Sequence, residues 1–196
     1  MADLVLFHHI LGYTSGVAQM ADELRAAGHT VYAPDLFDGQ LPATIEEGQQ
    51  LVQQAGDQHF QQLMAQYLAD LPEQLAYVGT SWGAALAQHS AQTRAGALGA
   101  VLLEAFIGLD APWGFGPWPH GVPVQIHGMD NDPFFAGDGD LQAAREFVGT
   151  ASGQEHAQLF TYAGSSHLFT DSSLPSHDPA ACSKVMERVI KFLSVL

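Results

Sequence analysis

Short apolar runs recur along the chain, separated by longer amphipathic stretches. Leu4 to His9, His29 to Pro34, Leu75 to Gly79, Gly99 to Glu104, Val122 to His127 and Gln158 to Tyr162 are each about the length of one strand. Their borders are rich in Gly, Pro, Asn and Asp, which predicts buried strands rather than helix fragments. Between them, apolar positions recur at three- and four-residue spacing over Val17 to Ala27, Thr44 to Leu71, Gly83 to Gln92, Leu141 to Val148 and Pro179 to Leu196. That period predicts helices. The glutamine-rich stretch from Gln49 to Gln66 keeps helical spacing at Leu51, Val52, Ala55, Leu63, Met64 and Tyr67, so it reads as one or two amphipathic helices. Strands alternating with helices imply an α/β fold, a doubly wound and mostly parallel sheet in a single domain spanning 1–196, with ligands bound at the carboxyl ends of the strands. No internal repeat interrupts it.

One strand-to-helix junction carries a chemical signature. Tyr77-Val78-Gly79-Thr80-Ser81-Trp82-Gly83-Ala84-Ala85-Leu86 holds a G-x-S-x-G pentapeptide between an apolar strand and an alanine-rich helix. In that setting the serine lies on a sharp turn, its hydroxyl exposed beside the free N–H groups of a helix N-terminus. Small flanking residues remove the side chains with which such a turn would collide. Ser81 is therefore the candidate nucleophile.

A serine nucleophile needs a general base and a carboxylate that orients it, and on such folds these follow in the order serine, acid, histidine. Phe160 to Phe169 runs from a strand into a small-residue loop that delivers His167. Upstream, the strand Val122 to His127 is followed by Met129-Asp130-Asn131-Asp132-Pro133, where Asp130 and Asp132 are both candidate acids. Pro133 drives the preceding residue toward an extended conformation at the turn out of the strand, which favours Asp132. Asp138 and Asp140 read as turn and cap residues for the helix that follows. His29, His59, His89, His120, His156 and His177 read as surface or cap residues, and His127 as a structural histidine on its strand.

The loop after the first strand, His8-His9-Ile10-Leu11-Gly12, is where a second oxyanion donor is expected. The backbone N–H groups of Ile10 and Trp82 are the candidates. His8 and His9 point to opposite faces of an extended chain, a poor chelating pair, and no metal is expected there. The Gly-, Pro- and aromatic-rich stretch Ala111 to Pro119 reads as an ordered loop walling a pocket. His9, Phe37, Phe106, Trp113 and Phe134, together with Trp82 and Phe135, are candidate pocket residues.

Taken together these segments resemble the dienelactone hydrolase family, a branch of the α/β-hydrolase fold. The resemblance covers nearly the whole chain: His8-His9-Ile10-Leu11-Gly12, Tyr32-Ala33-Pro34-Asp35-Leu36-Phe37, the elbow at Ser81, Asp132-Pro133-Phe134, and His167. It implies a compact form of that fold without the N-terminal hairpin of larger relatives, because the chain starts on a central strand. Two departures stand out. The prototypes carry cysteine where this chain has Ser81, and glutamate where it has His9, so their scheme for activating a thiolate does not carry over. What the resemblance implies is hydrolysis of an ester or lactone of a small molecule by Ser81, His167 and Asp132, with no cofactor.

Charge narrows the partners. Twenty-one acidic against 6 basic side chains leave a formal charge of −15, which repels nucleic acid and anionic membranes, and neither is expected as a partner. The first residues show neither a basic region nor a long apolar segment, and the lone Cys182 forms no internal disulfide, which together suggest a cytoplasmic protein. Nothing in the sequence assigns an oligomeric state. With 47% hydrophobic residues the chain has enough apolar material for a sizeable core.

Overall fold

In the computed structural model, which describes residues 1–196 apart from the side chain of Asp57, the apolar runs become six strands of one sheet. They are β1 (Asp3–Phe7), β2 (Thr30–Tyr32), β3 (Leu75–Thr80), β4 (Ala97–Leu103), β5 (Val124–Met129) and β6 (Ala157–Tyr162), in the order β2-β1-β3-β4-β5-β6. Every pairing is parallel. Six helices lie between strands, α1 (Ser15–Ala26), α2 (Ile45–Ala55), α3 (Asp57–Ala69), α4 (Trp82–Thr93), α5 (Asp140–Gly149) and α6 (Ala151–His156), and α7 (Pro179–Leu193) follows β6; β4 passes to β5 through a loop.

The stretch from Thr44 to Leu71, read as one or two helices, forms two, divided at Gly56, whose φ of 82° no right-handed helix accommodates. The short α6 was not expected, β5 runs on to Met129 beyond the expected end at His127, and β1 stops at Phe7, two residues short of the expected His9. Thr44, Thr150 and Asp178 cap the helices that follow them through their side-chain oxygens, the local reason those helices begin where they do.

Alternate residues on each strand face opposite layers. Leu4, Leu6, Ala76, Val78, Val101 and Leu103 pack against α1 and α7, meeting Val17, Leu24, Val185 and Val189. Val5, Phe7, Leu75, Tyr77, Ala100 and Leu102 face the other layer, where Phe60 and Met64 of α3, Ala84 and Ala87 of α4, and Ala144 and Phe147 of α5 close the core. Burial on both faces explains why the strands read as continuous apolar runs.

Sheet order and register then fix where function can sit. From β1 the chain moves outward to β2, then returns to β3 on the other side, so the switch point lies between β1 and β3. Register brings the carboxyl ends level: Phe7 lies beside Gly79, Thr80 beside Leu103, Leu103 beside His127, and Met129 beside Tyr162. The loops that follow these strands therefore meet at one edge of the sheet.

Candidate active site

Ser81 joins β3 to α4 at that edge. Its backbone has φ 54° and ψ −118°, a conformation that a residue with a Cβ adopts only under constraint. Several contacts impose it. The Ser81 N–H donates to the Leu103 carbonyl at 2.7 Å, and the Ser81 carbonyl accepts from Ala84 N–H at 2.8 Å as the first turn of α4. The flanking glycines allow the backbones to close. A Cβ on Gly79 would lie 2.1 Å from the Gly83 carbonyl oxygen, and one on Gly83 would lie 2.4 Å from the carbonyl oxygens of both Phe7 and His8. The G-x-S-x-G pattern thus records two backbone approaches, helix to strand β3 and helix to strand β1.

His167 comes from the loop after β6 and meets Ser81 across 86 residues of sequence, with Nε2 2.8 Å from Oγ. Its Nδ1 lies 2.7 Å from Oδ2 of Asp132, which is fully buried in the loop after β5. Asp132 Oδ1 accepts the Phe134 N–H at 2.9 Å, fixing the carboxylate plane. An ionised carboxylate only accepts, so Nδ1 carries the proton and Nε2 is left to receive one from the serine hydroxyl. Burial works against the charged imidazole, but the bond to Asp132 and the nearby carboxylates of Glu104, Asp132 and Asp140 outweigh it and hold the His167 pKa above its ordinary value. Asp130 does something else. Its Oδ1 accepts from Asn131 Nδ2 and the Gly164 N–H, tying the loop after β5 to the loop after β6.

Glu104 belongs to this site although no sequence motif marks it. It follows β4 with φ 66° and is 1% exposed. One carboxyl oxygen accepts the Leu168 N–H at 2.5 Å, and the other accepts from Thr170 Oγ1 at 3.2 Å and Thr170 N–H at 3.4 Å. The carboxyl therefore grips both sides of the chain just after His167, where Leu168 has φ 59°. Burial chiefly, reinforced by the Asp132 charge, pushes its pKa up to about 7. Asp140, at the start of α5, accepts the Phe106 N–H at 3.0 Å, and burial raises its pKa to about 6. A buried glutamate at the end of a strand looks like a strand terminus in the sequence; only its unusual polarity beside an apolar run hinted at more.

The residues proposed for the oxyanion and pocket scatter into different roles. Neither the Ile10 nor the Trp82 N–H finds an acceptor among the described residues. His9, expected at the pocket, is instead fully buried: Nε2–H donates to Asp171 Oδ2 at 2.7 Å and Nδ1 accepts the Leu11 N–H at 3.2 Å. Asp171, also bonded to Thr14 Oγ1, stays well below the usual carboxylate range because the bonds from His9, Ser173 and Thr14 override its burial. His9 thus fastens the loop holding Ile10 to the loop holding His167. His8 is a second internal tie, donating to the His9 carbonyl at 2.7 Å and accepting the Leu36 N–H at 3.0 Å, and burial lowers its pKa to about 4.

Phe106 is core, stacked on Phe147 with centroids 5.5 Å apart, and Phe135 is likewise buried. Phe37 is buried against His8, Phe60 and Trp82. Phe134 touches the relay, its ring centroid 4.6 Å from that of His167. Trp113, 71% exposed, overhangs a cavity of about 250 Å³ walled by Phe60, Met64, Trp82, Leu86, His89 and Phe115. That cavity adjoins the elbow through Trp82. His127, as expected, is a satisfied structural histidine, bonded to Tyr162 OH and Gln125 Oε1.

This architecture has close counterparts. A dienelactone hydrolase-like promiscuous phosphotriesterase, P91, from metagenomic libraries superimposes with a TM-score of 0.76 at 18% identity, covering 100% of this chain and 87% of that one. The esterase PE8 gives a TM-score of 0.66 at 19% identity, covering 98% and 91%. At such identities the likeness is one of fold. Comparison with curated proteins finds no match. The family model that matches is that of the dienelactone hydrolases, over residues 2–196, and the chain belongs to the dienelactone hydrolase family.

Proposed function

We propose that this protein is a serine hydrolase that cleaves carboxylic ester or lactone bonds of small molecules through an acyl-enzyme. The observation that carries the reading is the unbroken chain from Ser81 Oγ through His167 to Asp132, at 2.8 and 2.7 Å, on a serine held at positive φ. In this reading Ser81 Oγ attacks the substrate carbonyl carbon as His167 Nε2 takes the hydroxyl proton. Asp132 holds the ring in the required tautomer and stabilises the imidazolium. The tetrahedral oxyanion sits between the Ile10 and Trp82 N–H groups, worth about 3 to 4 kcal/mol per donor in comparable sites. The carbon–oxygen bond to the alcohol breaks, and His167 returns the proton to that leaving oxygen. A water then attacks the acyl carbon as His167 Nε2 takes one of its protons, the bond from the acyl carbon to Ser81 Oγ breaks, and His167 returns that proton to Oγ as the acid leaves.

His9 in place of the family glutamate agrees with a nucleophile that is activated by its base throughout. An apolar acyl or aromatic group is accommodated beside Trp82, Phe134 and Trp113. No cofactor enters the scheme, and among the described residues no helix is long and apolar enough to cross a membrane. A cytoplasmic setting is consistent with the single free Cys182, which burial holds protonated with a pKa pushed up to about 11.

The test is a fluorophosphonate probe, with the adduct located by intact mass and peptide mapping. Labelling at Ser81, lost in both Ser81→Ala and His167→Ala, is the expected result and opens an ester and lactone screen. Folded wild-type protein that stays unlabelled and cleaves no activated ester would overturn the proposal.

A further inference from the structure

We infer a binding site for a divalent transition-metal ion at the opposite end of the sheet, formed by His120, Glu155 and His156. The parallel register places Val124, the first residue of β5, beside Ala157, the first of β6. The segments leading into these two strands are thereby brought together, although the histidines are far apart in sequence. One ligand atom from each of the three side chains lies within 4.8 Å of the others. His156 Nε2 is 3.6 Å from Glu155 Oε2, and the two imidazole rings stand 5.3 Å apart, nearly perpendicular.

The chemistry of the donors selects the ion. The Gly121 N–H donates to His156 Nε2 at 3.2 Å, so the neutral ring carries its proton on Nδ1 and presents a lone pair toward the His120 segment. That is the ligand tautomer, and the half-buried His156 ring turns off the Gly121 N–H to give this lone pair to an incoming ion. Bonds of about 2.0 to 2.2 Å in tetrahedral geometry put ligand atoms about 3.4 Å apart. His120 and Glu155 are exposed and reach that spacing by side-chain rotation, with water as fourth ligand. Two imidazoles and one carboxylate suit zinc and its transition-metal neighbours better than magnesium or calcium. A formal charge of −15 favours any cation.

The position also says what the ion does. Six residues of β5, at about 3.3 Å each, separate this site from the loop holding Asp132. The ion is too remote to touch the acyl-transfer groups. It clasps the starting ends of β5 and β6, the two strands whose far ends lead to Asp132 and His167.

Titration of chelator-stripped, full-length protein with zinc chloride by calorimetry at pH 7.5 tests the assignment, with thermal unfolding as second readout. The expected result is one zinc per chain with a micromolar dissociation constant and a rise in the unfolding midpoint. His120→Ala, which removes only an exposed side chain, and Glu155→Gln should each weaken binding at least about tenfold and abolish the shift. Lowering the pH to 5.5 should weaken wild-type binding, because both imidazoles must be neutral to bind. Folded wild-type protein that takes up no zinc below about 1 mM, or binding that His120→Ala leaves unchanged, would overturn the site.

Discussion

Glu104→Gln is the substitution that most directly tests the electrostatics behind the relay. The wild-type carboxyl is buried, with its pKa raised from 4.5 to about 7 by desolvation first and the Asp132 charge after it. For an acid whose pKa is higher folded than unfolded, the neutral form stabilises the fold. Its contribution is fully present below pH 4.5 and is lost as pH rises through about 7. The gap corresponds to about 3 kcal/mol, at 1.36 kcal/mol for each tenfold change in proton affinity. Glutamine has the shape and neutrality of the protonated side chain, and its amide oxygen can still accept the Leu168 N–H. Whatever constant cost its NH₂ group incurs opposite Thr170 does not vary with pH. The stability of Glu104→Gln minus that of wild type should therefore climb by about 3 kcal/mol between pH 4.5 and 8.5. Urea unfolding in steps across that range measures it. Kinetics supply a second readout. The Glu104 charge helps hold the His167 pKa up, so the acid limb of kcat/KM for an activated ester should move to lower pH in the variant. A stability difference that is flat or falls with pH would refute the argument, since it would mean that the carboxyl is not buried against ionisation.

Two further outcomes follow from the geometry. Asp132→Asn should lower kcat by about 10³ to 10⁴-fold, through loss of the His167 tautomer, whereas Asp130→Asn, which loosens only a loop tie, should lower it less than about tenfold; ester kinetics on the pair decide between the two aspartates. Gly83→Ala should destabilise the protein by about 3 kcal/mol or more or prevent folding, because its methyl group meets the carbonyl oxygens of Phe7 and His8 at 2.4 Å. Chemical denaturation checks it, and an unaffected midpoint would show that α4 can retreat from β1.

Much of the site could be read from short stretches of sequence. Pro133 restricts its predecessor locally, and Asp132 is the aspartate that meets His167. The elbow announces itself because a turn with φ 54° at Ser81, where a Cβ on Gly79 or Gly83 would lie only 2.1 or 2.4 Å from backbone oxygens, demands small residues at fixed positions beside it. His9 was less legible. Its neighbours mark a loop after a strand, but the partner that turns it inward, Asp171, lies 162 residues away. Phe106 and Trp113 illustrate the same limit for apolar side chains, since one is core and the other exposed over a cavity, and no local pattern separates them.

The alternation of strands and helices, the elbow and the chain order of serine, acid and histidine belong to the sequence itself, because period, glycine placement and proline restriction act over a few residues. Tertiary structure alone decided that Glu104 grips the chain 64 residues later, that His9 is a tie rather than a pocket wall, and that His120 meets Glu155 and His156. The burial and partners of a polar side chain depend on which strands lie side by side and in what register, and that is fixed only when the whole sheet has assembled.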